Sequence, residues 1–234
     1  MMKFYALELY PLSRIHIKAS ELAITNALAI EVDSDNYNKE ENYIAYSTSA
    51  IISSVAALEA NINEQFEWVS QLYSHVPSCA NLYNYLKDNN LNEEKKYKGI
   101  VGKYTLLIEL LKKDNNNDQK KTQLDNIGKI IELRNQLVHY NARFYKNDYT
   151  ETDYLPVEPI EKMRKLLNFF DKNLKITPSP FYGDGKGKFD IPHRIINAKL
   201  AEWCLETIKY FLNDLDEYIR RISEECQVSV IEVL

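Results

Sequence analysis

The chain is poor in glycine and proline, with six glycines and seven prolines among 234 residues. Both residues interrupt helices, and both are plentiful in the turns of β-sandwiches and in disordered chains. Their scarcity argues against those classes and favours long helices. A chain of this length can bury one sizeable hydrophobic core. We therefore expect a single domain over residues 1–234, with its core in about residues 13–222.

The chain also has few cysteines and no long apolar run. The three cysteines, Cys79, Cys204 and Cys226, have no CxxC spacing, so neither a disulfide framework nor a zinc site is indicated. Buried thiols in a reducing cytoplasm are the expected state. No run is apolar enough to cross a bilayer, and residues 1–5 lack a signal-peptide core. The sequence predicts a cytoplasmic protein with no membrane contact, no metal site and no cofactor.

Positive charge is not in excess, since 29 Lys and Arg residues face 34 Asp and Glu residues, for a net charge of −5. General nucleic-acid binding usually requires a basic surface, so the composition disfavours it. A small local basic site remains compatible with this balance. The abundant residue is tyrosine, at 17, and we expect these rings to be buried with their hydroxyls reaching water or a partner.

Apolar residues recur at helical spacing along most of the chain. The pattern predicts helices over residues 13–30, 41–75, 81–90, 99–112, 119–145, 158–173 and 198–222. Polar runs predict loops at residues 31–41 and 112–121, and a Gly/Pro-rich loop at about residues 176–192. The tail, residues 226–234, is too short to affect the fold class. The sequence thus predicts an all-α bundle of about five to seven helices, with helix 41–75 at its centre.

Candidate functional side chains are most closely spaced in one hexapeptide inside helix 119–145, Arg134-Asn135-Gln136-Leu137-Val138-His139. It combines a phosphate-binding guanidinium, an orienting carboxamide and a proton-transferring imidazole. At about 100° per residue, Arg134 falls inside the apolar side of the helix. That side is formed by Ile127, Ile130, Ile131, Leu133, Leu137, Val138, Phe144 and Tyr145. A charge placed there needs a partner or an anion, because burying it unpaired is costly.

Asn135 and His139 lie one helical turn apart on the flank of this arc, so the carboxamide can orient the imidazole. Arg134 and His139 are separated by on the order of 140° around the helix. One helix therefore does not aim both groups at one point. Two antiparallel copies meeting at a two-fold axis would pool both pairs of side chains in one cleft. We expect a homodimer through this helix.

The hexapeptide resembles the Arg-x4–6-His motif of the HEPN superfamily, whose members carry it on a helical-bundle domain, often with a polar residue after the arginine. A second stretch resembles the central helix of several bacterial HEPN proteins; it is Ala56-Ala57-Leu58-Glu59-Ala60-Asn61-Ile62-Asn63-Glu64. The order of the two stretches, central helix first and motif helix second, also agrees.

The resemblance implies a metal-independent endoribonuclease that acts as a toxin or defence effector, with RNA as substrate and an antitoxin protein as a possible partner. His139 would be the general acid/base for the attacking 2′-hydroxyl or the departing 5′-oxygen. Arg134 would stabilise charge on the phosphate, and Asn135 would orient or bind. Glu59, one turn before Asn63, would pair with Arg134 or hold His139 in position.

Other interpretations stay open. Arg134 fits a structural salt bridge to a carboxylate of the central helix, and some members of the superfamily are non-catalytic modules that bind a nucleotide, an RNA or a protein. A purely structural bundle is the third interpretation. The run Gly183-Asp184-Gly185-Lys186-Gly187-Lys188 lacks the spacing of a P-loop. It indicates a flexible basic loop in which Lys186 and Lys188 are candidate RNA contacts.

Overall fold

The chain folds as an all-α bundle. A computed structural model describes residues 11–32, 38–73, 99–110, 117–138, 165–166, 168–170 and 196–225. The helices are α1 (Leu12–Val32), α2 (Lys39–Tyr73), α3 (Gly99–Leu110), α4 (Asn117–Val138) and α5 (Ala198–Glu225). Residues 165–166 and 168–170 are helical as well, and no strand occurs in these ranges. The predicted fold class is confirmed. None of the described helices is long and apolar enough to cross a membrane.

Two predicted loops are shorter than expected. Residues 117–121 form the first turn of α4 rather than part of a polar loop, and α1 and α2 extend into the range 31–41 from both sides. Lysine, glutamine and glutamate favour helices intrinsically, so polarity at a helix end does not by itself break the helix. The predicted helix 81–90, the loop 176–192 and the tail 226–234 lie outside the described residues.

The chain divides into two compact units. The first unit comprises residues 1–18, 56–127 and 207–234, and the second comprises residues 19–55 and 128–206. Helices α1, α2, α4 and α5 each contribute residues to both units, whereas α3 belongs to the first unit. No single cut of the chain separates the two units. The predicted single domain stays a prediction.

The core of the first unit is organised around Tyr104 of α3, which has no solvent exposure. Its ring meets that of Phe211 edge to face, with centroids 4.9 Å apart. Its one hydroxyl hydrogen is shared between two acceptors, the Leu58 carbonyl oxygen at 2.9 Å and Asn61 Oδ1 at 3.1 Å. Burial is the main reason that the pKa of Tyr104 lies well above its usual value. The hydroxyl therefore stays a donor at all physiological pH values.

In the second unit, α1 and α2 meet through small side chains. Ser20 and Ser54 have no solvent exposure, and their hydroxyl oxygens lie 2.8 Å apart. Both hydroxyls also lie within hydrogen-bond distance of the Ala50 carbonyl oxygen. Small residues allow the two helix backbones to approach closely, and the shared carbonyl satisfies the buried hydroxyls. Cys204 of α5 is buried here, and burial raises the pKa of its thiol.

The start of α5 is capped from two sides within the second unit. Asn197 Oδ1 accepts a hydrogen bond from the Leu200 amide at 2.8 Å, the usual role of an N-cap asparagine. The Tyr43 hydroxyl accepts from the Ala198 amide at 2.9 Å and donates to Glu31 at the end of α1. Two amides that a helix start leaves without partners are thereby satisfied.

Two carboxylates lie at the α1 start in the first unit. The Glu64 carboxylate accepts hydrogen bonds from the Ser13 amide at 3.0 Å and from the Ser13 hydroxyl at 2.6 Å. Asp216 of α5 accepts from Gln65 Nε2 at 3.0 Å. Asp216 is exposed as a residue, but partial desolvation of its carboxyl raises the pKa of that group, Arg14 opposes the shift, and the Glu64 charge adds to it. Ionised Asp216 is therefore less stable in the folded protein than in the unfolded chain.

We expect Asp216→Asn to raise the free energy of unfolding at neutral pH. Because the folded-state pKa of Asp216 is raised, the native state holds more protons than the unfolded state between the two pKa values, and stability falls as pH rises through that window. Asp216→Asn removes this pH dependence of the free energy of unfolding, and its side-chain oxygen still accepts from Gln65. Urea titrations at a series of pH values measure the effect, with Asp125→Asn, at another exposed carboxylate, this one on α4, as the control. If the free energy of unfolding of Asp216→Asn changes with pH as it does in the wild type, the prediction is contradicted.

Candidate functional site

Arg134 lies on the buried side of α4. Ile127, Ile130 and Leu133 define that side, and none of the three is exposed to solvent. At about 100° per residue, Arg134 falls between Ile127 and Ile130 around the helix axis. The Arg134 side chain itself is half-buried. The Arg134 side chain therefore lies on the core side of α4 and still has partial access to solvent.

The last described turn of α4 is less covered than the turns before it. Leu137 is half-buried although it falls close to Ile130 around the helix. Val138 is 50% exposed, so the prediction that it belongs to the buried apolar side is wrong. Val138 falls about 80° from Ile130, which places it at the margin of the arc. The surface beside Arg134 thus combines apolar carbon with a guanidinium.

The other residues of the predicted site are only partly described. Asn135 is exposed on α4, next to Arg134. His139 follows the last residue of α4, Val138, and lies outside the described residues. Lys186 and Lys188 also lie outside them. Arg134 and Asn135 are consecutive on α4 but about 100° apart around its axis, and the roles predicted for all of these residues stay predictions.

A charged pair lies about one turn before Arg134 on the same helix. Lys129 Nζ and Glu132 Oε2 form an ion pair at 3.0 Å, with both side chains partly exposed. A pair three residues apart on a helix surface contributes about 0.2–0.5 kcal/mol. Lys129 is therefore a nearby cation with a local partner, and its loss perturbs the fold little.

Three polar residues of the stretch 56–64 have partners inside the first unit. Asn61 accepts from Tyr104, Asn63 Oδ1 accepts from Lys103 Nζ at 2.9 Å, and Glu64 accepts from Ser13. These bonds tie α2 to α3 and to the start of α1. The stretch that resembles a HEPN central helix therefore contributes to the packing of the first unit.

The supporting residues Glu59 and Asn63 are both exposed on α2. They belong to the first unit, whereas Arg134 and Asn135 belong to the second. The predicted pairing of Glu59 with Arg134 stays a prediction. Sequence reasoning missed Lys103 as the partner of Asn63, and no spacing or motif in the sequence marks it.

The described residues contain no group of three or more His, Cys, Asp or Glu side chains placed to hold a metal ion. Comparison of the chain with protein-family models, with curated proteins and with solved structures finds no match. The arguments about function therefore rest on the residues of this chain and on their placement.

Proposed function

We propose that the protein is a metal-independent endoribonuclease of the HEPN type that acts in the cytoplasm as a toxin or defence effector. The observation that carries the proposal is the placement of Arg134, on the buried arc of α4 but with partial access to solvent. A partly desolvated guanidinium binds phosphate more strongly than one in bulk water, because the local dielectric constant is lower. Exposed Asn135 supplies a neutral donor and acceptor at the next position of α4, about 100° around the helix axis from Arg134.

In the proposed reaction the 2′-oxygen of one nucleotide attacks the adjacent phosphorus, and the bond from phosphorus to the 5′-oxygen breaks. His139 takes the proton of the 2′-hydroxyl or gives a proton to the departing 5′-oxygen. Arg134 stabilises the additional negative charge on the phosphate oxygens in the transition state. The products are a 2′,3′-cyclic phosphate and a free 5′-hydroxyl, and the reaction needs no oxidant or metal ion.

Exposed Val138 and half-buried Leu137 supply an apolar surface next to Arg134. We propose that a second copy of the chain covers this surface and brings a second Arg134 and His139 to the same cleft. An antitoxin protein that binds the same cleft is the proposed regulator.

The dimer has a direct test. We expect light scattering of the purified protein to give twice the mass of one chain, and Val138→Glu to shift the mass toward that of one chain because it places a carboxylate on the apolar surface. Exposed Leu22→Glu on α1 is the control for an added surface carboxylate. A wild-type monomer at high protein concentration contradicts the shared cleft.

The alternative function is a non-catalytic module of the same fold that binds a nucleotide, an RNA or a protein. The observation that favours it is the packing role of Asn61, Asn63 and Glu64, which accounts for the second resembling stretch without catalysis. The two functions differ in one assay. The ribonuclease cleaves RNA in EDTA and leaves 2′,3′-cyclic phosphate ends, whereas the binding module leaves varied RNAs intact.

A further inference from the structure

Gln123 of α4 is a buried polar side chain whose carboxamide makes no hydrogen bond within the chain. The residue is 9% exposed. Its Oε1 and Nε2 atoms are both shielded from solvent, and neither has a hydrogen-bond partner. Nearly all buried polar groups in folded proteins have a partner in the protein or an ordered water. A carboxamide with both ends unpaired therefore points to a bound molecule.

The carboxamide lines a small cavity in the first unit. The cavity has a volume of about 10 Å³, and a site needs roughly 10–15 Å³ to hold one water molecule. Its walls come from α3, α4 and α5, and the lining residues are Ile108, Lys120, Gln123, Phe211, Asp214 and Leu215. This volume fits one water molecule.

The lining residues of the cavity form an apolar set and a polar set. Ile108, Phe211 and Leu215 are at most 6% exposed, and they offer no hydrogen bond to a bound molecule. Lys120 and Asp214 are half-buried and add a cation and a carboxylate to the Gln123 carboxamide. A water molecule needs two to four polar partners to remain in place. The polar side of the cavity offers that number.

We propose that one ordered water molecule is bound in this cavity and links α4 to α5. It accepts a hydrogen bond from Gln123 Nε2 and donates one to Gln123 Oε1, the bridging arrangement open to a primary amide. Its second hydrogen goes to the Asp214 carboxylate, the acceptor that α5 brings to the cavity. A water-mediated bond of this kind is nearly as favourable in enthalpy as a direct one.

The first test is NMR of the wild-type protein labelled with ¹⁵N at its glutamine side chains. We expect the Gln123 amide protons to show a dipolar cross-peak to water, with opposite signs in the laboratory and rotating frames, as a long-lived water requires. The loss of this signal in Gln123→Met assigns it. Gln65, whose Nε2 donates directly to Asp216 at 3.0 Å, is the control and shows no such cross-peak. A Gln123 amide without the dipolar cross-peak overturns the proposal.

The second test compares the folding equilibrium constants of Gln123→Met and Gln136→Met, two substitutions on α4. The Met side chain matches Gln in length and removes the polar atoms. If water satisfies the carboxamide, Gln123→Met does not raise the folding constant above that of Gln136→Met. If the carboxamide is dry and unpaired, removing it raises the constant by about tenfold or more. A gain of about tenfold or more over Gln136→Met in urea titrations overturns the proposal.

Discussion

Replacing Arg134 with alanine is expected to lower the rate of RNA cleavage by about 10²–10³-fold, the usual cost of removing one group that stabilises transition-state charge. The physical reason is that Arg134 lies half-buried on the core side of α4, where a guanidinium is partly desolvated. The assay follows a labelled RNA in EDTA under single-turnover conditions and identifies 2′,3′-cyclic phosphate ends. Arg134→Lys keeps the positive charge but loses the planar, forked guanidinium. Its cleavage rate is therefore expected to fall between that of the wild type and that of Arg134→Ala.

His139→Ala is the companion variant and is expected to lower the rate by about 10²–10⁴-fold, the usual contribution of a positioned acid or base. Lys129→Ala is the matched control, because it removes one positive charge from the same helix. The Lys129 side chain is paired with Glu132 and partly exposed, so its loss leaves the cleavage rate close to that of the wild type.

Two results would contradict these roles. Cleavage that survives His139→Ala excludes His139 as the acid or base. An Arg134→Ala protein that unfolds, as judged by its far-ultraviolet circular dichroism and its urea midpoint, assigns Arg134 to the structure rather than to phosphate binding. A folded wild-type protein that leaves all tested RNAs intact favours the binding module.

Tyr104→Phe is expected to lower the free energy of unfolding by about 1–3 kcal/mol, the cost of leaving a buried polar group unpaired. The substitution keeps the ring against Phe211 and removes only the hydroxyl. Asn61, 7% exposed, then loses the donor that its Oδ1 atom has in the wild type. Leu58 loses less, because its carbonyl oxygen lies within α2 and keeps a helical amide as donor. A lower urea midpoint at unchanged slope measures the effect.

The control for Tyr104→Phe is Tyr46→Phe, at a tyrosine of α2 that is 38% exposed. A hydroxyl in contact with water exchanges one partner for another, so its removal changes stability little. Equal losses in the two variants contradict the role of the buried hydroxyl. A Tyr104→Phe/Asn61→Ala double variant tests the pair directly, since removal of both partners costs less than the sum of the single changes.

Helical periodicity predicted the buried side of α2 well. Ile51, Val55, Leu58 and Ile62 follow one another at helical spacing and have no solvent exposure. The same holds for α5, where Trp203 is half-buried and the other apolar residues at helical spacing are buried: Leu200, Leu205, Ile208, Phe211, Leu212, Leu215 and Ile219. Apolar spacing is a local property of the chain, so these faces are readable without knowing what packs against them.

The candidate site was predictable only in part. Spacing placed Arg134 in the apolar arc of α4, and the structure puts it between Ile127 and Ile130 around the helix. Spacing also put Val138 in that arc, and Val138 is half exposed. Periodicity specifies which side of a helix faces inward, but the extent of the cover over its last turn depends on neighbouring segments far away in the chain.

The sequence alone therefore determined the helical class, the inward faces of the long helices and the hexapeptide that gathers a cation, an amide and an imidazole. The tertiary structure decided the partners: Lys103 for Asn63, Tyr104 for Asn61, Ser13 for Glu64, and the cavity beside Gln123. The physical reason is that hydrophobic periodicity is set by the geometry of one helix, whereas a hydrogen bond between helices needs two side chains brought within about 3 Å by the packing of the whole unit.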